Sequence, residues 1–216
     1  MYTLLVFIHV LALVYWLGGD LGTYISSQYV LREDLSVESR QTAFNILLAC
    51  DMGPKLAMPI IVGAGLHLST MLWGTLVPQP LAIAGWTVVV VWLVLILAQH
   101  SSKTASWAML SDIDLFVRFA VIGALIFFAI WVSQQGAPIW LSIKVAVFTA
   151  LVACGIAVRF ALRPFVMDWA KLLKEGATAE VNARLRKHMA VCRRYVWVIW
   201  FGLFLNTALG VKLIPI

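Results

Sequence analysis

The stretch TLLVFIHVLALVYWLGGDLGTYISS, from Thr3 to Ser27, is long and apolar enough to cross a bilayer as one helix. It nevertheless carries His9 and Asp20, residues that a helix facing lipid on all sides avoids. Stepping by three or four from His9 passes Ala12/Leu13, Trp16, Gly19/Asp20, Thr23 and Ser27, one stripe of mostly small, polar and ionisable side chains. Leu4, Leu5, Ile8, Leu11 and Val14 fall mostly elsewhere. Ionisable residues inside a membrane helix usually face other helices, water or a cofactor. The fold therefore reads as a bundle with something for His9 to face.

The rest of the chain agrees. Of its 216 residues 62% are hydrophobic and only 12% charged, and the mean hydropathy is +0.95. Such values lie outside the globular range and indicate one all-α integral membrane domain. The first segment lacks a basic start and a small-residue cleavage site, so it reads as a retained span. The three cysteines, Cys50, Cys154 and Cys192, form neither CxxC nor CxxCH, which argues against a disulfide framework, an Fe–S site and covalent c-type haem.

Six spans are expected, at about 2–25, 44–73, 81–100, 115–134, 138–160 and 190–211. The breaks are the charged loop Arg32–Arg40, the turn Pro78-Gln79-Pro80, the polar stretch 101–114, the turn Gln134–Pro138 and the long polar run Arg163–Arg194. With that threading, one side collects Arg32, Arg40, Lys103, Arg118, Arg159, Arg163, Lys171, Lys174, Arg184, Arg186, Lys187, Arg193 and Arg194 out of 16 Lys and Arg. The positive-inside rule makes that side cytoplasmic, with both termini outside, in a bacterial-type inner (plasma) membrane. The net charge of +6 thus reports topology and membrane lipid, not nucleic acid. Trp73, Trp131 and Trp140 fall at the outer ends, where an aromatic belt belongs.

Two stretches need more than a simple crossing. The second span is overlong; its first part, with Asp51 and Lys55 as an i,i+4 pair, is expected in the inner interface, with kinks at Pro54 and Pro59. Asp20, Asp51 and Lys55 read either as a proton or substrate gate or as an ordinary interfacial salt bridge, and the base rate of such pairs favours the latter. The amphipathic segment 163–189, split by Gly176, is expected to lie along the inner leaflet.

Depth brings polar groups together. His9, His67, Lys144 and Asn206 each lie roughly 8 to 10 Å from the outer end of a different span at 1.5 Å per residue. Two imidazoles from neighbouring antiparallel helices at equal depth can ligate haem iron from both faces. Gly18, Gly19, Gly63 and Gly65 leave room for a macrocycle, though small residues such as Gly18 and Gly19 also serve plain helix packing, and Tyr15 and Trp16 can wall it. Plain interhelical hydrogen bonding, or another metal or substrate, accounts for the same pair. At the inner face, His100 and His188 offer a second pair of metal ligands, with Arg118, Arg159 and Arg163 placed for propionates. A second haem b there would complete a transmembrane electron path; ordinary interfacial histidines are the plainer account. No GxSxG, HExxH, phosphate-binding loop or dinucleotide fingerprint occurs. The methionines are scattered, as core filling rather than a copper tract.

His9 followed by Trp16-Leu17-Gly18-Gly19 resembles the opening helix of HemJ-type protoporphyrinogen oxidases and of related CopD-like membrane proteins. Trp140-Leu141-Ser142-Ile143-Lys144 resembles the W-L-x-x-K signature of the HemJ-type enzymes. The resemblance implies a helical membrane protein that binds haem b, with His9 as a haem ligand and Lys144 as a catalytic or cofactor-contacting residue. The expectation that leads is a cytochrome b-like membrane protein in electron transfer, with quinone or a redox protein as partner. There His9 and His67 are axial ligands, and Lys144 and Asn206 hold propionate or tune the iron. The alternatives are a HemJ-like oxidase (a membrane oxidoreductase), an ion or metal transporter built on Asp20, Asp51 and Lys55, and a structural subunit of a respiratory complex. A homo-oligomer is compatible with any of them.

Overall fold

The computed structural model of the chain describes residues 1–101 and 106–214, which places Lys103 outside the described residues. The described residues form seven helices: α1 (Tyr2–Val30), α2 (Val37–Cys50), α3 (Met52–Leu72), α4 (Gln79–Ser101), α5 (Ser106–Gln134), α6 (Ile139–Glu175) and α7 (Ala179–Gly210). Their ends follow from local chemistry. Ser36 caps α2 by accepting from the Ser39 N–H at 3.2 Å, and Thr178 caps α7 by accepting from the Val181 N–H at 3.3 Å. Pro138 stands just before α6, its fixed φ suited to a helix start. Gly176, at φ 88° and ψ 171°, ends α6 in a conformation that essentially only glycine adopts.

Five segments are long and apolar enough to cross a membrane: Tyr2–Val30, Val37–Leu72, Gln79–Ser101, Trp107–Gln134 and Ile139–Glu175. The sixth expected span, 190–211, lies in α7, where Arg193, Arg194 and Asn206 interrupt the apolar run and leave it short of that measure. The expected second span is two helices. The chain breaks at Asp51, ahead of Pro54, so that proline sits in the first turn of α3, where its missing N–H costs nothing. Pro59 lies within α3.

The helices form a closed ring in chain order. α1 packs on α3, α3 on α4, α4 on α5, α5 on α6 and α6 on α7, and α7 returns to α1. Large apolar side chains on the outside, among them Phe7, Val91, Val94, Phe116, Phe127, Phe201 and Phe204, are exposed. A belt of that kind is the surface that lipid covers. The fold is an all-α polytopic helical bundle. Its middle is filled by Trp16, Met58, Trp92, Phe148, Leu151, Val152 and Ile199.

The ends differ. At the Arg-rich end, α6 and α7 run on past the core as a helical hairpin closed at Gly176. Phe165, Trp169, Leu172, Leu185 and Met189 pack there against Phe44 and Leu47 of α2. The segment 163–189 is therefore the joined ends of two long helices; part of its apolar face packs on α2, while Val166, Met167 and Leu173 stay exposed. Arg40 locks this layer: its Nε donates to the Val30 carbonyl at 2.8 Å, Nη1 and Nη2 donate to Asn182 Oδ1 at 3.1 Å, and the guanidinium lies over Trp169.

Candidate functional site

At the end opposite the arginines the ring is hollow. A cavity of about 520 Å³ lies there, within the range typical of small-molecule sites, and all six ring helices line it. α1 contributes Val6, His9 and Leu13, spaced to share one face of a helix. α6 contributes Leu141, Lys144, Val145 and Phe148, and α7 contributes Leu203, Asn206 and Gly210. The remaining wall is largely apolar. No aspartate or glutamate lines it among the described residues.

Three of the sequence-expected residues meet in this cavity: His9, Lys144 and Asn206. His9 lies against α3 at Gly65, where an added Cβ would stand 3.3 Å from His9 Cε1. Gly65 thus leaves room for the imidazole. His9 Nδ1 and Asn206 Oδ1 are buried without a hydrogen-bond partner. A native core rarely leaves such groups unpaired, and both residues line the cavity. Lys144 Nζ reaches the last residue of α7, since a Cβ on Gly210 would be 2.6 Å from it. The negative dipole end of a helix favours a cation there. No ion pair of Lys144 is formed among the described residues.

The other expected residues stand elsewhere. His67 is two positions beyond Gly65, about 200° around the helix, so it faces the opposite side of α3 from His9. It lies in a separate groove with Gln79, Trp86 and Thr87, and its Nδ1 accepts from Trp86 Nε1 at 3.3 Å. The expected pairing of His9 with His67 across one macrocycle does not form, because equal depth does not fix azimuth. The expected space at Gly63 is taken by Val89 and Trp86 of α4, and that at Gly19 by Pro54 and the Cys50 carbonyl of the α2–α3 junction. Trp16 is buried below the cavity, edge-on to Phe148 at 5.9 Å, and donates from Nε1 to Asp20 Oδ2 at 3.1 Å. Tyr15 is exposed.

The second expected pair also stays apart. α4, which ends near His100, packs on α3 and α5, whereas α7, which carries His188, packs on α6 and α1. His188 Nε2 lies 3.3 Å from Asp168 Oδ2, and Arg184 donates to the other oxygen of that carboxylate at 3.1 Å.

Arg118 and Arg159 are committed to a group the sequence reading left in a polar loop. Asp114 lies inside α5, and its Oδ2 accepts from Arg118 Nε at 2.9 Å and from Arg159 Nη1 at 2.9 Å. Trp92 Nε1 donates to its Oδ1 at 3.1 Å. Arg159 also donates to the Ser111 carbonyl at 2.5 Å and to the Ser111 hydroxyl. This buried network ties α4, α5 and α6 together and occupies two of the three guanidinium groups expected to hold propionates; the third, Arg163, is exposed and lies over the Phe160 ring. The Asp114/Arg118 spacing of four in an apolar run was the available signal. The remaining expected trio divides: Asp51 and Lys55 form the i,i+4 ion pair at 2.5 Å, while Asp20 turns to Trp16.

Fold and site together define a polytopic membrane bundle that encloses an apolar cavity with an imidazole, an ammonium and an amide on its wall. No family model, curated protein or solved structure matches the chain.

Proposed function

We propose that this cavity binds haem b, that His9 is its protein ligand, and that the protein acts in electron transfer within the membrane. The carrying observation is that His9, with an unpaired buried ring nitrogen, and Lys144, with no acidic neighbour, line the same apolar cavity. Haem offers what each lacks: a metal for the imidazole, acidic groups for the ammonium, and a large apolar body for the walls. Bound haem would supply one-electron redox chemistry. The chain's residues hold and tune it: His9 through the iron, Lys144 through a propionate, and Asn206 from the same wall. His67 is not offered as a second ligand, since its ring faces Trp86 on the far side of α3. Each half of the resemblance to HemJ-type and CopD-like proteins carries one of the two residues that meet here.

Purified protein should show a Soret band that shifts on dithionite reduction. His9→Ala should lose it and His67→Ala should keep it; a colourless wild type, or a band indifferent to His9, sinks the reading. Lys144→Met should weaken haem affinity roughly 10- to 100-fold, as changes around a metal centre commonly do.

A second reading is oxidation of a tetrapyrrole precursor, favoured by Lys144 sharing one cavity with His9. Complementation of a strain lacking that step separates the two, since haem content does not. The excess of basic residues at one end supports an orientation with that end cytoplasmic and both termini outside.

A further inference from the structure

We infer that the cavity is loaded from the bilayer, through a window between α4 and α5. The inference rests on the reading that the cavity takes an acidic, largely apolar ligand. It starts from Ala84 and Val88 of α4 and Ala124 of α5, which line the cavity and are exposed. A wall residue that no neighbouring helix covers marks a thin place in the wall. These positions lie about 7 to 15 Å from the helix ends Gln79 and Gln134 at 1.5 Å per residue, the depth of acyl chains rather than water.

The ties between these helices explain the gap. At the half nearer the arginines, Trp92 Nε1 of α4 donates to Asp114 Oδ1 of α5 at 3.1 Å, and Arg118 lies over the Trp92 ring. At the cavity half no hydrogen bond joins them among the described residues, and Ala84 and Ala124 present only methyl groups. The route from the helix ends is more obstructed. Trp73 and Trp140 pack there with ring centroids 5.5 Å apart, in a cluster with Val77, Val132 and Leu141. Tyr2 and Val10 of α1, Leu72 at the end of α3 and Val211 after α7 also line the cavity and are exposed, and they mark the competing entries. An amphiphile entering sideways between α4 and α5 would meet Lys144 of α6 with its acidic head while its body stayed among Leu125, Phe128 and Val88. The window thus selects for ligands already dissolved in the membrane.

The test uses the full chain in lipid nanodiscs, with haemin partitioned into the bilayer as probe. Ala84→Trp combined with Ala124→Trp should slow growth of the Soret band about tenfold, while Tyr2→Trp with Val211→Trp slows it far less. The opposite order of rates overturns the inference. A second measurement needs no haem. With Cys50, Cys154 and Cys192 replaced, a bimane on Val121→Cys, whose side chain lines the cavity, is read in ligand-free protein. Quenching by brominated acyl chains, lost when Ala84→Leu is combined with Ala124→Leu, supports the window. Quenching by aqueous iodide but not by bromolipid overturns it. This measurement decides the matter if wild-type protein takes up no haemin, an outcome that removes the haem reading alone.

Discussion

At the scale of single residues, buried charge among the described residues is met by neighbours: Asp20, Arg40, Asp114, Arg118 and Asp168 each have a polar partner. Asp114 is the extreme case, with two guanidinium groups and an indole N–H on one buried carboxylate. Removing one partner of a buried pair leaves uncompensated charge, which typically costs about 3–5 kcal/mol. Asp114→Ala should therefore lower the thermal unfolding temperature in detergent far more than Asp34→Ala, whose carboxylate pairs with Arg32 at the exposed surface. Equal shifts for the two variants would mean the network contributes nothing. The cavity-lining residues were legible in part. His9, Lys144 and Asn206 could be placed at one level from residue counts alone, because helix rise is constant. The mistaken partner was His67: position along a helix follows from counting, but which neighbour a face meets depends on how the helices are turned.

At the scale of elements, glycine placement makes sharp statements. Gly176 holds a backbone conformation that side chains tolerate poorly, so Gly176→Ala should cost about 1–3 kcal/mol although the site is exposed and touches nothing. Chemical denaturation of the purified protein checks this, and an unchanged midpoint would count against the turn as described. Gly19 lets α1 meet the α2–α3 junction; a Cβ there would stand 2.5 Å from Pro54 Cδ and 2.7 Å from the Cys50 carbonyl. Gly18, one position on, has open space. Gly19→Leu should sharply reduce folded yield by size-exclusion chromatography, while Gly18→Ala should match wild type. Sequence alone read both as room for a cofactor, since a small residue looks the same whether a ligand or another helix fills the space. The hairpin of α6 and α7 was hidden for a similar reason. Its amphipathic pattern demands an apolar partner, and both a leaflet and Phe44 of α2 satisfy that demand.

At the scale of the whole molecule, the helices make a ring that is packed in the middle, latched at the arginine end and hollow at the other. Single cysteines in a cysteine-free background should report the orientation: Glu175→Cys labelled only from the cytoplasmic side and Gln135→Cys only from outside. The reverse pattern would overturn the positive-inside assignment. That assignment counted Arg40, Arg118 and Arg159 among the charges of the inner side, yet each is tied to a partner within the protein: Arg40 to Val30 and Asn182, the other two to Asp114. By itself the sequence determined that the chain is an all-α membrane bundle, roughly where its helices run, and that polar groups gather near one end. Hydropathy and helix rise are properties of the chain taken one segment at a time. Only the tertiary structure decided that His9 and Lys144 share a cavity without His67, that Arg118 and Arg159 belong to Asp114, and that the wall opens between α4 and α5. Each of these depends on helix rotation and on which ridge fills which groove, quantities that exist only once several helices are packed together.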